Sequence, residues 1–154
     1  MRRPPFQALL DEHRHDVYRF LVASVGQNEA DDCFQETFVA ALRAYPRLRD
    51  ASNLRSWVLT IAHNKAIDAH RARRRRAVPV ESLPEPATEP ALDGEPALWD
   101  AVRGLPAKQR ASILHRYVND LPYAEIGRIV GCSEAAARQN VRAGLSSLRG
   151  AWRP

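Results

Sequence analysis

Cysteine is nearly absent from this chain and lysine equally so. Cys33 and Cys132 are the two cysteines of 154 residues, and Lys65 and Lys108 the two lysines among 23 basic side chains. No Cys-x-x-Cys pair and no His/Cys cluster has the spacing of a metal site, so a zinc or disulfide scaffold is not expected; both thiols sit in apolar helical patterns and read as buried and reduced. Nowhere do ~18 apolar residues follow one another, and the start Met1-Arg-Arg-Pro-Pro5 leads into no apolar signal core, which points away from membranes and export and toward the cytoplasm. Alternating runs flanked by turn signals are also lacking, so no sheet is expected. No paired carboxylates, cofactor fingerprint or nucleophile with a base stands out, and no catalysis, cofactor or metal is expected. His13, His15, His63, His70 and His115 are scattered along the chain and read as surface or satisfied side chains.

What the chain does have is charge, unevenly placed. The formal net charge is +5. Residues 1–76 carry 14 Lys and Arg against 9 Asp and Glu, residues 77–96 carry 0 against 5, and residues 97–154 carry 9 against 4. Two basic blocks favour a polyanionic partner. The acidic block between them holds Pro79, Pro84, Pro86, Pro90 and Pro96, a composition that removes backbone donors and repels itself. The expected organisation is therefore all-α: two small helical domains, 1–76 and 97–154, joined by an extended acidic linker over 77–96.

In the first block, Phe6, Leu9, Leu10, Val17, Phe20 and Leu21 predict a helix from about Phe6 to Val25, stopped by Gly26. Ala30, Cys33, Phe34, Thr37, Phe38, Ala41, Leu42 and Tyr45 repeat at helical spacing and predict a second, closed by Pro46. Asp31, Asp32, Gln35 and Glu36 lie off that stripe, where helix capping alone accounts for the carboxylates. A third helix begins near Leu54 with Asn53 as its cap, buries Leu54, Trp57, Val58, Ile61 and Ala62, and turns Arg55, Ser56, Thr60, His63, Asn64 and Lys65 outward. It ends in Arg71, Arg73, Arg74, Arg75 and Arg76, a basic run that beside so many donors suits a nucleic-acid backbone and exposed bases.

In the second block, Pro96 opens a short helix with Leu98, Trp99 and Val102 inward; the next carries Gln109, Ile113, Leu114 and Tyr117 toward a core. Pro122 to Val130, then Gly131-Cys132-Ser133, then Glu134 to Arg149 form a helix-turn-helix pattern. Ile126 and Val130 pack the first helix, Gly131 makes the turn, Cys132 plugs the corner and Ser133 caps the recognition helix, with Ala137, Val141, Gly144 and Leu148 inward. Recognition helices enter the major groove by their N-terminal face, which nominates Ser133, Glu134, Ala135, Arg138, Gln139 and Arg142.

The segment Glu29-Ala-Asp-Asp-Cys-Phe-Gln-Glu-Thr-Phe38 resembles the region-two signature of bacterial extracytoplasmic-function RNA polymerase sigma factors. Leu54-Arg-Ser-Trp-Val-Leu-Thr-Ile-Ala-His-Asn-Lys-Ala-Ile-Asp68 is similar to that family's promoter-melting helix, and Leu105-Pro-Ala-Lys-Gln-Arg110 and Leu121-Pro-Tyr-Ala-Glu-Ile126 to its C-terminal domain. The resemblance implies core-polymerase binding, through the largest subunit's clamp helices, by Asp31, Asp32, Gln35, Glu36 and Val39. It implies minus 10 recognition and melting by Arg47, Arg49, Asn53, Arg55, Ser56, Trp57, Thr60, His63, Asn64, Lys65, Arg71 and Arg74. The helix-turn-helix would read minus 35 duplex and dock on the polymerase flap, the linker would run toward the RNA exit channel, and an antagonist anti-sigma protein covers both domains in many members. Ala143, Gly144 and Leu145 depart from the family's usual Arg-Ala-Arg, and Ala135-Ala136 from Gly-Thr, so two phosphate contacts are lost and the bases read are not set by analogy. The alternative is a stand-alone helix-turn-helix regulator of duplex DNA, which leaves the N-terminal half without a task.

Overall fold

The first stripe of apolar residues does form one helix: α1 spans Phe6–Val25, and Val17, Phe20 and Leu21 along it are almost wholly removed from water, each stabilising the fold by roughly 1.5–3 kcal/mol. Described residues of the computed structural model are 3–76 and 95–151. Most of the acidic block, 77–94, lies outside them. At Gly26 the backbone takes a φ of 85° while its N–H still reaches the Val22 carbonyl at 3.0 Å, a conformation costly for any residue with a Cβ, and this turns the chain into α2, Gln27–Ala44. Pro46 sits in a single 3-10 turn, Tyr45–Arg47, that ends α2. α3, Leu54–Arg75, starts where the Asn53 side chain accepts the Ser56 N–H at 3.0 Å, so the expected cap is present. These three helices pack on one another as a bundle.

The second group comprises α4 (Pro96–Arg103), α5 (Ala107–Tyr117), α6 (Tyr123–Val130) and α7 (Glu134–Ala151). Among the described residues there is no strand, and no helix is long and apolar enough to cross a membrane. α5, α6 and α7 pack mutually, with Ala137, Val141, Gly144 and Leu148 buried along α7 as expected. Gly131 adopts the left-handed conformation, and both its N–H and that of Cys132 return to the Gly127 carbonyl at 2.8 Å.

The two groups do not stand apart. α4 and α5 lie against α1, α6 lies against α3, and one apolar cluster runs through both. The consequence is visible on α3, whose outer side was expected to face solvent. His63 is 5% exposed, its ring lying 5.7 Å from that of His115 on α5. Hydrophobic period identifies one face; a second face covered by a distant segment carries no such mark.

Two inward assignments fail for the opposite reason. Leu42 is 54% exposed and Tyr117 60%. α1 and α3 cover the line through Phe38, Ala41 and Tyr45 on α2 but not its neighbour at Leu42, and Tyr117 ends α5 past the edge of the core.

Candidate functional site

α2 presents an open face. Asp32, Gln35, Glu36 and Val39 are exposed, and Leu42 extends the line by a turn, an apolar position that periodicity had assigned inward. Asp31 is exposed too but neighbours Tyr18 of α1; burial first, then the Asp31 carboxylate, raises the Tyr18 phenol above its ordinary range. On the far side Thr37 is fully buried and gives its hydroxyl to the Cys33 carbonyl at 2.7 Å. The Cys33 thiol is pushed up to about 11, chiefly by burial and then by Glu36, Glu29 and Asp32, so it stays protonated and unreactive. The face thus combines carboxylates, an amide and two apolar side chains on a rigid helix, which suits docking against another helix of complementary charge.

The α3 surface is divided. Arg47 and Arg49 are exposed before it, and Asn64, Arg71 and Arg74 along it, with Lys65 half-buried. Ser56 and Thr60 are half-buried, and the Thr60 hydroxyl is spent on the Ser56 carbonyl at 2.8 Å. Trp57 packs toward Tyr45, with ring centroids 6.0 Å apart. Three of the expected nucleic-acid contacts are occupied by the second domain. Arg55 pairs with Asp16 at 2.9 Å and donates to the Asn119 carbonyl at 2.5 Å; Asn53 donates to Glu125 at 3.1 Å; and His63 lies 5.7 Å from the His115 ring.

His63, lining one cavity with His70 and lying beside His115, is therefore not isolated in space. His115 is wholly buried with no hydrogen bond to its Nε2, and burial pulls its pKa down to about 3. His63 falls to about 4 through burial and then the nearby Arg110. His70 also falls to about 4, mainly by burial, then Arg110, against the opposing bond from its Nε2 to the Ser24 carbonyl at 2.8 Å. All three are neutral at physiological pH. The expectation of surface or satisfied side chains holds only in part for His115, whose Nδ1 meets the Asn119 amide at 3.4 Å while its Nε2 has no partner among the described residues, and His63 is buried rather than on the surface.

The recognition helix is pre-arranged. Ser133 Oγ accepts the Ala136 N–H at 3.0 Å, capping α7. Glu134, Ala135, Arg138, Gln139 and Arg142 are exposed over its first turns. Arg138 lies over the Tyr123 ring at 5.0 Å and approaches Glu134 at 3.4 Å, contacts that cost little to exchange for a base edge. Leu145, at one of the positions where a family cation is missing, is half-buried against the core rather than outward.

The Sigma-70 region 2 model matches residues 9–76 and the Sigma-70 region 4 model residues 96–148. The chain is 33% identical over 162 aligned positions to the ECF RNA polymerase sigma factor SigD of Mycobacterium tuberculosis, covering 96% of this chain and 76% of that one. It is 29% identical to the RNA polymerase sigma factor CarQ of Myxococcus xanthus, covering 94% and 87%. Among solved structures it is similar, with a TM-score of 0.77 and 25% identity over 94% of each chain, to the sigma factor RpoE of Bartonella quintana in complex with the anti-sigma factor NepR.

Proposed function

Because this chain belongs to the extracytoplasmic-function RNA polymerase sigma factors, regulatory proteins that direct core polymerase to promoters, we propose that its work is divided among three faces. Residues 1–76 form the domain that binds core polymerase and opens the minus 10 element, and residues 97–154 the domain that reads minus 35, with 77–96 as the tether. α2 docks on the polymerase through Asp31, Asp32, Gln35, Glu36 and Val39, and the protein performs no catalysis of its own. The observation that carries this assignment is the open line on α2, where carboxylates and exposed apolar side chains share one face of a helix whose other face is sealed. A stand-alone duplex binder has no use for it.

Arg47, Arg49 and the α3 side chains from Asn53 to Arg74 take the melted nontemplate strand. Unstacking each base costs a few kcal/mol, and stacking on a side chain together with phosphate contacts returns ~1–3 kcal/mol per base. In this reading the C-terminal domain must first leave α3, since Asn53, Arg55 and His63 are engaged by it. Arg138 and Arg142 read minus 35 with Ser133, Glu134, Ala135 and Gln139 around them, a bidentate Arg contact to guanine discriminating by ~1–3 kcal/mol. The likeness to a sigma factor solved with its anti-sigma factor supports an antagonist protein as a partner, and a protein that works on polymerase would act in the cytoplasm.

Reconstituted transcription tests the reading. Purified chain plus core enzyme should start transcription at discrete sites on a genomic fragment library, and neither component alone should do so. Duplex binding by the chain alone, without any start sites when core is added, would refute it.

A further inference from the structure

Between α3 and α5, with Val130 of α6 at its edge, lies a cavity of about 270 Å³. Its polar lining is His63, His70, Arg71 and Arg74 from the first domain and Lys108 and Arg110 from the second, and among the described residues it includes no carboxylate. Two of these side chains are more than nine-tenths buried, Arg110 at 7% exposure and His63 at 5%. Arg110 gives Nη1 to the carbonyls of Arg103 and Leu105, at 3.1 and 3.0 Å, and both partners are neutral. The His63 ring lies 5.7 Å from that of His115, and the nearby Arg110 adds to burial in keeping it neutral. Four cations thus line one space with no carboxylate beside them among the described residues, and Arg74 disfavours the charge on Arg110 after burial has already done so. The amino end of α5, an 11-residue helix without a side-chain cap, borders the same space.

We propose that this cavity is a binding site for a compact polyphosphate anion, of the kind carried by a nucleoside diphosphate, and that its occupancy holds the two domains together. Guanidinium forks and a lysine suit phosphate oxygens, and the first-turn N–H groups of α5 are donors of the right sign. At ~30 Å³ per water the space holds about nine waters, enough for a diphosphate and too little for a polymer. Because one wall comes from each domain, the ligand binds the packed arrangement and not the parted one, and so stabilises it by mass action. Arg71 and Arg74 also belong to the face assigned to DNA, so the two ligands exclude each other. Binding measured on the free chain, without polymerase or DNA, keeps this proposal separable from the promoter reading.

Inorganic pyrophosphate is the probe, titrated calorimetrically into the full chain at constant ionic strength. One saturable site is expected, with a raised thermal midpoint that matched chloride does not reproduce. Lys108→Ala should weaken binding by about tenfold or more, the order of one charge-assisted contact, with an unchanged circular dichroism spectrum. Arg75→Ala, in the same basic run but outside the cavity, should bind as the parent does. Absence of saturable binding, equal affinity in Lys108→Ala, or an equal loss in Arg75→Ala would overturn the proposal.

Discussion

The imidazole of His115, on α5, lies parallel to the ring of Phe20, on α1, with centroids 4.4 Å apart and planes inclined by 15°. This stack joins the two domains, and the His63 ring of α3 lies 5.7 Å from that of His115. Neutral rings stack there without a charge to solvate. A protonated pair would place two cations in a desolvated space already bordered by Arg110 and Arg55.

Stability should therefore fall on the acid side. His63 and His115 have folded pKa values near 4 and 3, below the ordinary 6.5. The unfolded chain then binds more protons between those limits, so the stabilisation is complete above about 6.5 and lost as pH falls toward 4. Each ring contributes a slope of about 1.4 kcal/mol per pH unit in that window. Urea unfolding at a series of pH values checks this, and His115→Gln should remove one proton's worth of slope. A flat profile through the window would contradict it.

Arg103 makes the second prediction. Its Nη2 donates to the Val22 carbonyl at 3.0 Å across the domain boundary, while Nη1 meets Asp100 at 3.0 Å. Arg103→Ala removes the bridge, and Val22 keeps the Gly26 N–H as a partner. The packed arrangement should weaken by about 1–2 kcal/mol, seen as a larger radius of gyration in X-ray scattering. Promoter-strand binding by the free chain should rise although a cation is lost. A fall in binding with no change in size would show that the domain contact does not compete with DNA.

The helix-turn-helix corner makes a third. A Cβ on Gly127 would lie 2.6 Å from the Cys132 carbonyl oxygen, which is backbone and cannot swing aside. Gly127→Ala should destabilise the chain by about 1–3 kcal/mol, although the same change in an open helix gains about 1 kcal/mol. Gly144→Ala is the contrast, since its Cβ would meet the flexible end of the Ile113 side chain. Chemical unfolding of both variants should rank Gly127→Ala clearly below Gly144→Ala, and the reverse order would contradict the geometry.

Local structure was legible in the sequence wherever a side chain had a short-range reason for its place. Asn53 and Ser133 cap the helices they precede, Gly26 and Gly131 turn where turns were expected, and the buried line of α7 follows its period. The exposed line on α2 was legible as residues lying off a stripe, although Leu42 was placed on the wrong side of it. What could not be read was the contact between domains. His63 and His115 meet segments some fifty residues or more away in sequence, and a period of 3.6 says which residues share a face but not what arrives to cover it.

The α2 face carries the central claim, and a direct binding measurement with core polymerase tests it. Asp32→Ala with Gln35→Ala should weaken core binding by about tenfold or more, as expected when polar contacts at the middle of a helix-docking interface are lost, while the unfolding midpoint stays within about 0.5 kcal/mol of the parent because both side chains are exposed. Unchanged core affinity in a folded double variant would contradict the account.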